Sequence, residues 1–160
     1  MSEENLETAK AAERAAGAVS EANEQMIRSM YAAFSEIATG RKIASYVATY
    51  YEADAVYEPV EEAGAIRGHA ALVGWHERWF DAWETFHAAP DEVIAVDDVV
   101  FATVSVRGRG DESGTEVDQR FFHVTEVRNG RIGRIREYLE RGEALAAAGL
   151  SPASNRVARR

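Results

Sequence analysis

Asn129-Gly130, flanked on both sides by apolar residues alternating with polar ones, constrains this chain more than any other feature. A tight two-residue hairpin turn needs positive φ at both positions, which Asn and Gly tolerate, and it locks its two strands into one register. Such a turn pairs Arg128 with Arg131, and counting outward sets Val124 opposite Ile135 and Phe122 opposite Glu137. Cross-strand partners share a face of the sheet. The count therefore predicts an inner face of Phe122, Val124, Ile135 and Glu137, and an outer face carrying Phe121, His123, Thr125, Arg134, Arg136 and Tyr138. Val100, Ala102, Val104 and Val106 alternate with polar residues in the preceding strand and extend the apolar inner wall.

Other segments fill in the architecture. Met26, Ile27, Met30, Phe34 and Ile37 form a stripe at helical spacing that Gly40 stops, and Ile43, Tyr46, Val47 and Tyr50 repeat the pattern. Asp54–Glu58 reads as a short strand ended by Pro59, and residues 60–68 as a loop. A third helix is expected over His69–Glu84, with Trp75, His76, Trp79 and Trp83 on one face. Strands follow over Glu92–Val96, Val99–Arg107, Thr115–Arg128 and Arg131–Tyr138, with Asp97-Asp98 as a second turn, and a last helix covers Glu143–Ala148. This order, with mostly antiparallel neighbours, predicts an α+β domain over residues 23–150. Residues 1–22, rich in Ala and Glu with little to bury, are expected to be a frayed or partly helical extension, and 151–160 a basic flexible tail.

Composition narrows the function. A net charge of −9 speaks against nucleic acid as partner, because that binding needs Lys and Arg to neutralise phosphates. The absence of cysteine removes thiolate catalysis, disulfides and cysteine metal sites. No apolar run is long enough for a membrane helix. Charges stand where a signal peptide would carry its apolar segment, so a cytoplasmic location is expected. The four histidines are not at metal-ligand spacing, and neither a metal nor an organic cofactor is expected.

The segments ADAVYEP, RGHAAL, FHVTEVRNGRIGRIREYLER and EALAAAGL resemble the nuclear transport factor two-like superfamily, in particular its SnoaL-like, ketosteroid-isomerase-like branch. That resemblance implies a cone: a strongly curved sheet with about three helices on its concave face, a pocket for a small apolar molecule between them, and a homodimer through the outer face. Ketosteroid isomerases place a tyrosine on the first helix, a base at the end of the first strand and a protonated aspartate in the penultimate strand. Those positions fall on Met30, Pro59 and Phe122, with Tyr31, Glu58 and His123 one residue away. Limonene-type epoxide hydrolases share the cone. Tyr57 and Glu137 match two of their catalytic positions, while Pro59, Val104 and Val106 do not. Neither known catalytic set is complete.

The expected site is built on Glu137, a carboxylate on an apolar wall. It must find hydrogen-bond partners or rise in pKa, and in the second case it would serve as an acid or base near neutral pH. Its structural alternative is a rim carboxylate tied to Arg136, Arg141 or a helix terminus. Tyr57 and His76 are the expected catalytic assistants; otherwise they are an amphipathic core tyrosine and a satisfied core histidine. Met30, Tyr31, Trp79, Val104, Val106, Phe122, Val124 and Ile135 are expected to line the substrate pocket. The reading is a proton-transferring isomerase, cyclase, dehydratase or hydrolase acting on an apolar, oxygen-bearing molecule. Two alternatives are a non-catalytic ligand-binding or dimerisation module, and a pocket filled by its own tryptophans.

Overall fold

The computed structural model describes residues 2–40 and 42–151; most of the expected basic tail lies outside them. Helix α1 (Glu3–Gly40) is followed by α2 (Ile43–Tyr50), β1 (Tyr51–Glu58), β2 (Ile66–Arg67) and α3 (Gly68–Asp81). Then come β3 (Trp83–Val96), β4 (Val99–Gly110), β5 (Glu116–Arg128), β6 (Arg131–Tyr138) and α4 (Arg141–Ala147). One curved, unclosed sheet runs in the order β2-β1-β6-β5-β4-β3, antiparallel except where β1 lies parallel to β6.

Both faces of this sheet are apolar, and each has its own cover. The first three helices pack on the concave side over Val100, Ala102, Val104, Val106, Phe121 and Ile135. On the convex side, Ala144 and Leu145 of α4 bury Ile94, Phe101, Phe122 and Val124.

The Asn129-Gly130 turn forms as expected, with φ of 55° and 72° and Arg128 opposite Arg131. The register then shifts between Glu126 and Val127, because Gly133 is an extra residue in β6: Val127 faces Ile132, but Glu126 faces Arg134. A bulge of this kind inverts which side chains share a face beyond it. Past Gly133 the partners are Thr125 with Ile135, His123 with Glu137 and Phe122 with Tyr138. The expected faces of β5 are therefore exchanged. His123 points into the concave side, while Phe122 and Val124, expected in the pocket, sit under α4 instead.

One further expectation is corrected. Helix α3 ends at Asp81, so Trp83 belongs to β3, which runs through Pro90 to Val96. Pro90 is tolerated because β3 is an edge strand, and the register shifts there between Pro90 and Glu92. Helix α1 begins at Glu3, well ahead of its apolar stripe, since an Ala-rich segment can continue a helix that packing has already nucleated. Docking begins at Ser20 and Asn23, which hold the backbone N–H and C=O of Asp97 in the β3–β4 turn at 3.0 and 2.7 Å.

Gly108 of β4 is required by close approach. A Cβ there would lie 2.6 Å from both the Trp83 ring and the Thr85 carbonyl oxygen. Gly108→Ala should therefore cost about 1–3 kcal/mol in urea unfolding. Gly64→Ala, which meets open space, should change stability by less than about 0.5 kcal/mol. Equal effects would mean that Trp83 is not seated on Gly108.

Candidate active site

Helices α1–α3 and the concave sheet face enclose a cavity of about 50 Å³. Its walls are largely aromatic, including Tyr31, Phe34, Tyr46, Tyr57, Trp75 and Phe121. Of the residues expected at the site, Met30, Tyr31, Tyr57, His76, Trp79, Val104, Val106, Ile135 and Glu137 line it. His123 and Glu61, which the sequence reading left outside, line it too.

Four of these side chains form one hydrogen-bonded array. Glu137 Oε2 accepts from His123 Nε2 at 2.7 Å and from the Tyr57 hydroxyl at 3.2 Å, and Oε1 accepts from the Val60 backbone N–H at 3.2 Å. On the other side of the imidazole, the Tyr31 hydroxyl lies 2.6 Å from His123 Nδ1. The His123 and Glu137 side chains are only 12% and 7% exposed, so water screens this pair weakly.

Burial pushes the Glu137 carboxyl upward, but the His123 hydrogen bond and charge, the Val60 N–H and the Tyr57 hydroxyl outweigh it and hold the group below its ordinary value. Glu137 is thus an anion at neutral pH, not an acid poised there by apolar surroundings. The rim alternative fails as well, since Arg141 pairs with Glu92 and Arg136 lies on the opposite face of β6.

An ionised carboxylate can only accept, so His123 Nε2 carries a proton. With a neutral ring, Nδ1 is bare and accepts from Tyr31 O–H. With an imidazolium, Nδ1–H donates to the Tyr31 oxygen and frees the tyrosine proton for the cavity. Burial raises Tyr31 well above the ordinary phenol value, and so it holds its proton unless a base takes it.

Glu61, in the loop after β1, has the opposite tendency to Glu137. Burial, then the negative charges of Glu137 and Glu62, push its carboxyl upward. Two carboxyls facing one cavity with pKa values driven apart can divide the roles of fixed anion and proton carrier. Glu58 points away and pairs with Arg134 at 2.6 Å.

His76 has a structural task. It is 1% exposed, packs edge-on against Phe34, Tyr46 and Trp75, and joins its Nδ1 to the Leu72 carbonyl oxygen at 2.7 Å. Its hydrogen bond goes to its own helix and not to Glu137. Trp75 stacks on Trp79 with centroids 5.5 Å apart, and Trp79 leans on Trp83 at 5.4 Å. The indole Nε1 groups of Trp79 and Trp83 are buried with no acceptor. An unmet buried donor costs about 1–3 kcal/mol.

With this geometry in view, comparison with known proteins is informative. The SnoaL-like domain family matches residues 25–135. The chain belongs to that family. No curated protein matches it in sequence. Its fold is shared by a putative SnoaL-like polyketide cyclase from Jannaschia sp. CCS1, at TM-score 0.65 and 12% identity over 84% of this chain and 96% of that one. A hypothetical protein with a ketosteroid isomerase-like fold from Catenulispora acidiphila DSM 44928, solved with trimethylamine, aligns at TM-score 0.60 and 20% identity over 76% of this chain and 93% of that one. SalBIII, an epoxide hydrolase/cyclase-like enzyme of pyran ring formation in salinomycin, aligns at 0.62 and 17% over 74% and 91%. At these identities the likeness establishes the fold of this SnoaL-like protein, and its chemistry must come from its own residues. Among the described residues no helix is long and apolar enough to cross a membrane, and no cluster of three or more metal-ligating side chains occurs.

Burial holds His76 far below its ordinary value, at about 4, against the Leu72 hydrogen bond, which raises it. Above pH 6.5 the ring is neutral in both the folded and the unfolded chain. As the pH falls through 6.5, the unfolded chain takes up a proton that the folded one refuses until about 4. Stability should drop across that window by on the order of 3 kcal/mol. Glu137, with a lowered pKa, adds its own loss only below its ordinary 4.5. His76→Phe should therefore flatten the pH dependence of urea unfolding between about 6.5 and 4.5. An unchanged slope would show that His76 is not a neutral core residue.

Proposed function

We propose that this SnoaL-like protein is an enzyme that moves protons on a small, mostly apolar, oxygen-bearing molecule, in an isomerisation, cyclisation, dehydration or hydrolysis. The observation that carries this reading is the chain Tyr31–His123–Glu137 on an aromatic cavity wall. It has the logic of a hydroxyl, an imidazole and an orienting carboxylate in series. Glu137 fixes the His123 tautomer and stabilises the imidazolium, His123 exchanges a proton with Tyr31, and the Tyr31 hydroxyl meets the substrate oxygen. Glu61 carries the second proton, the one that leaves or joins carbon. The Tyr57 hydroxyl donates a second hydrogen bond to Glu137 Oε2. Structural neighbours described as a polyketide cyclase and an epoxide hydrolase/cyclase-like enzyme agree with oxygen-bearing substrates. The family resemblance further suggests a homodimer, joined where α4 leaves the outer sheet face uncovered, and the charges at the N-terminus a cytoplasmic location.

A direct test follows exchange of the acidic α-hydrogens of 2-tetralone for deuterium by proton NMR, because this needs only a base and an oxygen-stabilising acid. The protein should accelerate exchange over buffer. Glu137→Gln and Tyr31→Phe should each lower the acceleration by about 10²–10⁴-fold, and Glu137→Gln should keep tetralone affinity within about threefold of the parent. Exchange insensitive to both substitutions would leave a binding module in place of an enzyme.

A further inference from the structure

A groove of about 460 Å³ adjoins the cavity and shares five lining residues with it: Glu61, Trp75, Trp79, Val106 and Phe121. These residues are the partition between the outside and the Tyr31–His123–Glu137 chain. At about 50 Å³ the cavity is smaller than the about 150 Å³ that accommodates a benzene ring, so a ring-sized ligand must displace part of that partition. Trp83 is the fixed side, because its ring is seated on Gly108. Trp79 is wedged between Trp75 and Trp83, edge-on to Phe86, and its indole N–H reaches no acceptor. The faces of those neighbouring rings offer at most a weak N–H–π contact.

A buried donor left unmet beside a space that must open for a ligand is a recognition group without its partner. We propose that the Trp79 indole N–H is the second recognition point of the site. The preferred substrates would then be flat ring compounds with two oxygens, one met by Tyr31 and an acceptor oxygen at the remote end met by Trp79. Flatness follows from the wall, where Trp75 and Trp79 stack at an interplanar angle of 15° and Tyr57 stands at 86° to Trp75. This inference rests on the proposed oxygen-bearing substrate, and it names the chemistry of the substrate's other end.

Two probes of equal shape isolate the remote oxygen: 6-methoxy-2-tetralone, whose added oxygen can only accept, and 6-ethyl-2-tetralone, which has a methylene in its place. Dissociation constants come from ¹H–¹⁵N NMR titration of the indole N–H signals. The chain has three tryptophans, and all of them lie at this site, so every indole signal is informative. The methoxy compound should bind about tenfold more tightly than the ethyl one, and the Trp79 N–H signal should move downfield with the methoxy compound alone. Trp79→Phe, which keeps a ring in the wall, should bring that ratio to about one, whatever it does to the affinity for 6-ethyl-2-tetralone. Equal affinities in the parent protein, a ratio that survives Trp79→Phe, or no binding of either probe would overturn the assignment. Deuterium exchange of 2-tetralone reads the proton chain independently. Normal exchange with no oxygen preference would sink the Trp79 role alone, whereas lost exchange with the preference intact would sink the catalytic reading alone.

Discussion

His123 meets Glu137 because β6 contains one residue more than β5 between the turn and the site. A β-strand has a side-chain period of two, so a single extra residue decides which set of side chains faces the helices. With Gly133 taking up that residue, Phe121, His123, Thr125, Ile135 and Glu137 are brought to the concave side, and Phe122 and Val124 to α4. Without it, Phe122 and Val124 would share the concave face with Ile135 and Glu137, and His123 would face outward beside Arg134 and Arg136. The bulge thus positions the site.

The electrostatics of the cavity follow from that placement. Glu137 stands among aromatic rings, where an unpaired carboxylate would take a proton. Three donors prevent this, one each from β5, β1 and the chain just after β1. The anion then determines which nitrogen of His123 is protonated, and the other nitrogen determines what Tyr31 can offer. Glu61, close enough to feel Glu137's charge but without such donors in the array, is pushed the other way. Burial comes first in raising Tyr31, Tyr57 and Glu61, and the charge of Glu137 adds to it in each.

Much of this was legible in the sequence. The hairpin turns, the α+β order, Glu137 as an acid on an inward strand and the tyrosine partner Tyr57 all follow from periodicity, turn chemistry and family resemblance. The register fixed at Asn129-Gly130 does not persist along the hairpin. The signal that could have corrected it is Gly133 itself, since an isolated glycine inside a strand marks a bulge. Accepting that bulge moves His123 inward by the same count that had placed it outside. Tyr31, at the edge of the α1 stripe, could not be chosen over Met30 from spacing alone, because neighbours on a helix differ by about 100° and both flank the cavity. His76 was the reverse case. Its position among tryptophans suggested chemistry, but a bond to its own helix and a shell of rings give it a packing role.

The central claim is that Glu137 remains an anion that fixes the proton on His123 Nε2 and leaves Nδ1 to Tyr31. Nitrogen-15 NMR of the His123 ring in the intact protein reads this directly. In the neutral ring a single tautomer should be seen, protonated at Nε2 and bare at Nδ1, and Glu137→Gln should mix the two tautomers. A ring protonated at Nδ1, or one averaging the two tautomers in the parent protein, would contradict the account.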